Sequence, residues 1–226
     1  THRKPCLSRN TLVICISQSG ETQDTIQALR YIQENHADKI TLSVSKNGAS
    51  EKESVEGTVC LGNQPLSTLA KESTLFVPTY ANKEIGVATT KVFTSQLLRL
   101  AQITCLANPE HHDAQNLRES LHTLPHALQQ VLTSEDAIKN MPQTQSDSTQ
   151  LIFLGKGILY PIAEETALKV QELAYSPAQA YATGELKHGP LALVDHNQTC
   201  FVLVNDDATF PLVESNIHEI AARNGQ

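Results

Sequence analysis

Ser17-Gln18-Ser19-Gly20-Glu21-Thr22 places three hydroxyl side chains and one glycine within six residues. Such a stretch can grip an anion. Main-chain N–H groups at a helix start point outward and the helix dipole adds positive potential. Ser17, Ser19 and Thr22 can each donate a hydroxyl hydrogen bond to a phosphate oxygen. No lysine or arginine is required. The ordinary explanation is a capped turn, because serine and threonine are preferred there whatever the function. Three hydroxyls beside a glycine favour a phosphate or sugar-phosphate cradle.

Two further places carry chemistry. Lys169 lies three residues before Glu172 on one helical face, where an ammonium can stabilise a carboxylate or an oxyanion. Taken alone, a pair at this spacing reads as a solvent-side ion pair. Glu164 and Glu165 are rivals on the same helix, placed by the sequence in its N-terminal turns, where the dipole accounts for them. His188 sits in Glu185-Leu186-Lys187-His188-Gly189-Pro190, a segment whose glycine and proline can turn a side chain into a site. An imidazole titrates near neutrality and can give or take a proton. His111, His112, His122 and His126 fall in a polar stretch and read as solvated. No His/Cys/Asp cluster has ligand spacing and no G-x-G-x-x-G follows a strand, so neither a metal nor a nucleotide cofactor is expected.

The elements that position these residues follow from periodicity. Thr11-Leu12-Val13-Ile14-Cys15-Ile16 reads as a strand buried on both faces, running straight into the hydroxyl turn. A helix follows from Thr25 to Gln33 with Ile26, Leu29, Arg30 and Ile32 at helical spacing and Thr22 placed to cap it. Ile40–Val44 and Thr58–Leu61 are strand candidates separated by a polar run from Lys46 to Gly57, which reads as a surface loop. Gln64 to Ser73 predicts a short helix, and Thr74 to Pro78 a strand that the proline ends. A helix from Thr89 to Leu106 has Val92, Phe93, Gln96, Leu97, Leu100 and Ile103 as its buried stripe. From Asn108 to Gln150 the sequence turns polar, with leucines at helical spacing. A second unit opens at Leu151–Leu154, with helices predicted from Pro161 to Tyr175 and from Pro211 to Asn224 and a strand at Cys200–Val204. Strands alternating with helices imply parallel sheets covered on both faces, with ligands at the carboxyl ends of the strands. The turn Asn205-Asp206-Asp207 occupies the place in the second unit that the hydroxyl turn holds in the first, and its aspartates repel phosphate.

The 226 residues carry a net charge of −7, which argues against nucleic acid or an anionic membrane as the main partner. No apolar run approaches transmembrane length and no signal peptide is visible. Cys6, Cys15, Cys60, Cys105 and Cys200 are odd in number and lack C-x-x-C spacing, which suits thiols in a reducing compartment. A soluble cytoplasmic protein is expected. The first residue is threonine, so a fragment is expected.

Ser17 to Thr22 resembles the phosphate loop of the sugar-isomerase (SIS) family, and within it the isomerase half of the glucosamine-6-phosphate synthases. Glu84-Ile85-Gly86-Val87-Ala88-Thr89-Thr90-Lys91 and Gly184 to Leu193 are similar to two further blocks of that family, in the same order. The resemblance spans nearly the whole chain except the segment around Ser43 to Gly57, where about fifteen residues look inserted.

The resemblance implies an α/β fold of two tandem SIS (flavodoxin-like) domains with parallel sheets flanked by helices, both incomplete in this chain. Residues 1–114 would form the first, lacking its N-terminal strand and helix. Residues 115–141 would be a helical linker, and 142–226 the second domain without its C-terminal part. It implies that Ser17, Gln18, Ser19, Gly20 and Thr22 hold the phosphate, and that Val87 and Thr89 line the sugar pocket. The family more often has serine where Thr89 stands. Ala167 to Glu172 matches the stretch that makes Lys169 and Glu172 catalytic, and His188 takes the ring-opening role from a neighbouring subunit. The implied enzyme is a glutamine-dependent transaminase and ketose-aldose isomerase that turns fructose 6-phosphate into glucosamine 6-phosphate in amino-sugar biosynthesis. It would act as a homodimer with shared sites and a glutaminase domain elsewhere in the full-length protein. Cys6 does not match that domain's terminal nucleophile. Two other readings share the loop. A related deglycase or deaminase of amino-sugar phosphates would keep Glu172, and a non-catalytic phosphosugar regulator would not need it.

Overall fold

Short apolar strands alternating with amphipathic helices build two α/β units, Thr1–Val131 and Leu132–Gln226. The computed structural model describes residues 4–45, 52–139 and 150–225.

In the first unit, β1 (Val13–Ser17), β4 (Thr58–Gly62) and β5 (Leu75–Pro78) form a parallel sheet in the order β1-β4-β5. α1 (Gln23–Asn35) and α3 (Thr68–Glu72) cover one face, where Cys15, Ile26, Leu29, Cys60 and Leu69 are buried together. Arg30 of α1 grips the Glu72 carboxylate of α3 with both Nε and Nη2, which fixes the two helices against each other. α4 (Lys91–Ala107) contacts β4. Val59 and Leu61, which alternate with Cys60 along β4, are buried, but Ile16 is 43% exposed, so β1 is not buried on both faces as its composition predicts. Within α4, Val92 and Cys105 are buried, whereas Leu97 of the expected stripe is exposed.

The segment between the first two crossovers is not a plain loop. After α2 (Ala37–Ile40), β2 (Thr41–Ser45) pairs with β3 (Lys52–Glu56) as an antiparallel hairpin apart from the main sheet. The strand candidate at Ile40–Val44 therefore belongs to the hairpin, and β4 takes the place beside β1. Residues 46–51 of the expected polar run lie outside the described residues. At the hairpin's base Gly57 N–H donates to the Ile40 carbonyl at 2.7 Å, and the Gly57 carbonyl accepts from Val13 N–H at 2.8 Å.

The polar stretch after α4 forms α5 (His112–Leu132) and α6 (Glu135–Lys139), on which His112, His122 and His126 are exposed. The part of that stretch covering residues 140–149 lies outside the described residues.

The second unit is centred on β6 (Gln150–Gly155), with β7 (Ala178–Ala182) and β8 (Gln198–Val202) parallel on either side. Alternation along β6 supplies both cores. Ile152 and Leu154 pack with Leu186, Val194 and Ile220, while Phe153 packs with Ala163 and Ala167 of α7 (Leu159–Ala174). α8 (Phe210–Ala221) brings Ile220 to the first of these. β7 has no sequence signature, because Ala-Gln-Ala-Tyr-Ala is poor in β-formers and pairing with β6 alone makes it a strand. Among the described residues no helix is long and apolar enough to cross a membrane.

Candidate functional site

The hydroxyl turn leaves β1 at Ser17 and enters α1 at Gln23. Ser17 is buried, its Oγ accepts the Gly20 N–H at 3.0 Å, and it lies 3.3 Å from Thr22 Oγ1. Ser19 Oγ accepts the Glu21 N–H at 3.2 Å, which leaves its own proton to donate. Thr22 occupies the N-cap position, yet its side chain makes no capping bond. The hydroxyl turns toward Ser17 and leaves the first amides of α1 without a side-chain acceptor, as an anion site requires.

Gly20 makes the turn possible. Its φ is +69°, and a Cβ there would sit 2.1 Å from Ser67 Oγ. The Gly20 and Gln18 carbonyls accept the Leu69 and Asn63 N–H groups at 3.1 and 3.3 Å, which ties the turn to the segment after β4. Glu21, which puts a negative charge inside the loop, is drawn away from it. Its Oε1 accepts the Thr68 N–H at 2.8 Å at the start of α3, and that main-chain hydrogen bond holds its carboxyl below the usual carboxylate range. Asp24 in the first turn of α1 stays close to the same dipole, so amides and hydroxyls must outweigh one nearby negative charge.

The stretch from Lys83 to Lys91 is closed at both ends. Glu84 Oε1 accepts from the Thr90 N–H at 2.9 Å and the Thr90 hydroxyl at 3.0 Å, and Lys91 Nζ donates to the Lys83 carbonyl at 2.7 Å. Between them Thr89 is half-buried and the Val87 side chain is fully exposed, so Val87 can meet a ligand only through its main chain or an uncovered methyl edge. A cavity of about 810 Å³ opens at the ends of β4 and β5, lined by Asn63, Gln64, Phe76, Pro78 and Tyr80. The residues of the hydroxyl turn do not line it. A phosphate held by helix amides needs a shallow surface site rather than a deep cavity.

In the second unit α7 carries a three-membered charge cluster. Lys169 Nζ lies 2.5 Å from Glu172 Oε2 and 3.4 Å from Glu165 Oε1. The Lys169 side chain is only 19% exposed, which separates it from an ordinary solvated pair. Burial pulls its pKa down, but hydrogen bonding to Glu172 and the charges of both carboxylates outweigh this and raise it overall, so the ammonium form is secured. Glu165 is the residue that sequence reasoning set aside. α7 begins at Leu159, earlier than the periodicity predicted, and its first turn contains no acid, so the dipole does not account for Glu165. The spacing of four residues to Lys169 was the available signal.

His188 ends a 3-10 helix, Thr183–His188, and is exposed. Gly189 follows at φ +145°, a conformation that favours glycine and sets the direction in which the chain leaves the imidazole. Among the described residues no group of three or more His, Cys, Asp or Glu side chains is arranged to hold a metal. Cys15 and Cys60 are register partners on β1 and β4, and burial pushes the Cys60 thiol up to about 11, which removes it as a nucleophile near neutrality.

The SIS domain profile matches residues 1–56 and 146–226. The chain is 38% identical over its whole length to glutamine-fructose-6-phosphate aminotransferase (isomerizing) from Escherichia coli K12, and equally to that from Bradyrhizobium diazoefficiens, spanning 35% of each. It thus covers about a third of the length of these relatives. The C-terminal domain of glucosamine-fructose-6-phosphate aminotransferase from Francisella tularensis superposes with a TM-score of 0.85 at 36% identity, covering all of this chain and 60% of that one. Glucosamine-6-phosphate deaminase from Thermotoga maritima has the same fold at a TM-score of 0.75 and 21% identity, covering 99% of this chain and 61% of that one. The profile match takes in more than half of the residues, and the chain belongs to the SIS domain family.

Proposed function

We propose that this chain forms the isomerase region of a glutamine-fructose-6-phosphate aminotransferase and converts fructose 6-phosphate to glucosamine 6-phosphate. The observation that carries the reading is the turn Ser17–Thr22, whose converging hydroxyls and uncapped helix amides suit a phosphate monoester. Identity of 38% across the entire chain to relatives of that name supports it. Likeness to the deaminase lies at 21% and speaks for the fold alone.

In this reading His188 opens the sugar ring, and ammonia released from glutamine adds to the C2 carbonyl with loss of water. Glu172 then takes the C1 proton. The C–H electron pair forms a C1–C2 double bond while the imine pair moves to nitrogen, which gains a proton. Return of a proton to C2 and loss of the C1 hydroxyl proton leave an aldehyde beside an amine. Lys169, kept charged by Glu165 and Glu172, stabilises negative charge that develops on oxygen. Val87 and Thr89 line the sugar pocket. The tandem arrangement has 1–114 and 142–226 as SIS domains joined by a helical connector, 115–141. The working enzyme is a cytoplasmic homodimer in which His188 is supplied across the subunit interface, with a glutaminase domain elsewhere in the full-length chain.

The intact protein tests this directly. Glutamine-dependent formation of glucosamine 6-phosphate is expected, and Glu172→Gln should bind fructose 6-phosphate normally while kcat falls by about 100-fold or more. Unchanged turnover in Glu172→Gln would overturn the assignment.

A further inference from the structure

α8 holds the segment that ends in His188 at two points. Asn216 Nδ2 donates to the Thr183 carbonyl at 2.7 Å, where the 3-10 helix begins. One turn further along α8, Glu219 Oε1 meets Lys187 Nζ at 2.7 Å, one residue before His188. Ser215 Oγ donates to the same oxygen at 3.5 Å. Asn216 and Glu219 are three residues apart and so share one face of α8. Between the two tethers Leu186 is fully buried against Val194 and Ile220.

A 3-10 helix of six residues has poor hydrogen-bond geometry and does not by itself fix a terminal side chain. Here the backbone beneath His188 is pinned by a neutral bond at one end, an ion pair at the other and an apolar contact in the middle. The second oxygen of Glu219 is buried and has no hydrogen-bond partner among the described residues, so this carboxylate is compensated through its other oxygen, by the Lys187 ion pair and the longer Ser215 bond.

We infer that Asn216 and Glu219 are positioning residues for ring opening. Asn216 acts through Thr183 and Glu219 through Lys187, and together they present the His188 imidazole in one orientation. The inference rests on the proposed role of His188, and its test separates the two. Fructose 6-phosphate is mainly cyclic, whereas 5-deoxyfructose 6-phosphate lacks the hydroxyl that closes the furanose ring and stays open-chain. In the intact enzyme, Asn216→Ala, Glu219→Ala and the conservative surface change Lys187→Met should each lower the ratio of kcat on fructose 6-phosphate to kcat on the 5-deoxy compound by about tenfold. KM should be unchanged, and the charge-swapped pair Lys187→Glu with Glu219→Lys should recover most of the ratio. The ratio does not depend on the fraction of folded enzyme, so a merely structural role would leave it constant. If His188→Ala lowers the ratio and none of the three variants does, the inference fails. If His188→Ala itself leaves the ratio unchanged, the reading of His188 fails first.

Discussion

Two strand-turn-helix units of this chain share an architecture and differ in what fills the helix start. Neither helix start has a side-chain cap; between β1 and α1 the turn offers the paired hydroxyls of Ser17 and Thr22 and a glutamate diverted to Thr68. Between β8 and α8 the Asp207 carboxylate already occupies the corresponding place, accepting the Thr209 N–H at 2.7 Å and the Thr209 hydroxyl at 2.6 Å. Those two bonds, the hydroxyl's first, hold the Asp207 carboxyl below its usual range. The turn before α8 thus carries a full negative charge ahead of the N-cap Thr209, whereas the turn before α1 presents hydroxyls, and the acid near its helix start is Asp24 in the first turn. A shared topology supplies the potential, and the local side chains decide whether the protein or a substrate uses it.

Copying the second turn into the first should have the largest effect. Ser19→Asp places a carboxylate against the bound phosphate and should weaken fructose 6-phosphate binding by roughly 100-fold in calorimetric titration, because like charges brought together cost several kcal/mol. Binding within threefold of the native protein would break the comparison. Next comes the turn's backbone. Gly20→Ala meets both a positive φ and Ser67 Oγ at 2.1 Å, whereas Gly157→Ala meets the positive φ in open space. The second change should cost about 1 to 2 kcal/mol in denaturant unfolding and the first clearly more, with phosphosugar affinity lost only in the first. The smallest effect is expected at Asp207→Asn, which should leave sugar-phosphate affinity alone. Because the folded-state pKa of Asp207 is depressed, its contribution is present above the ordinary value of 3.8 and disappears as pH falls through the lower folded value. A small loss of melting temperature at neutral pH should therefore vanish in strong acid, and a loss that persists there would mean that the carboxylate's charge is not what matters.

The hydroxyl turn was legible because its residues act through local geometry that a strand-to-helix junction dictates. The sequence places Thr22 as the cap and it holds that position, but the choice of its hydroxyl between the helix amides and Ser17 is a tertiary matter. Glu21 gave no sign of its task, since Thr68 lies 47 residues away in sequence. The Lys169–Glu172 pair is readable from spacing, whereas Glu165 is obscured because periodicity starts α7 near Pro161, which puts this residue close to the helix terminus, while the helix begins at Leu159. β7 and the β2–β3 hairpin escaped for opposite reasons. The first has alanines where strands favour branched residues, and the second has polar residues that suit a two-stranded ribbon as well as a loop.

That ribbon leaves and rejoins the chain at a seam, the 2.7 Å bond from Gly57 to Ile40, and Gly57 at once resumes contact with Val13. The excursion is therefore stitched shut where it departs, and its length is decoupled from the spacing of the strands it interrupts. Segments of other sizes spliced at this seam should leave the neighbouring hydroxyl turn in place, which makes it a natural port for accessory parts in an otherwise constrained sheet.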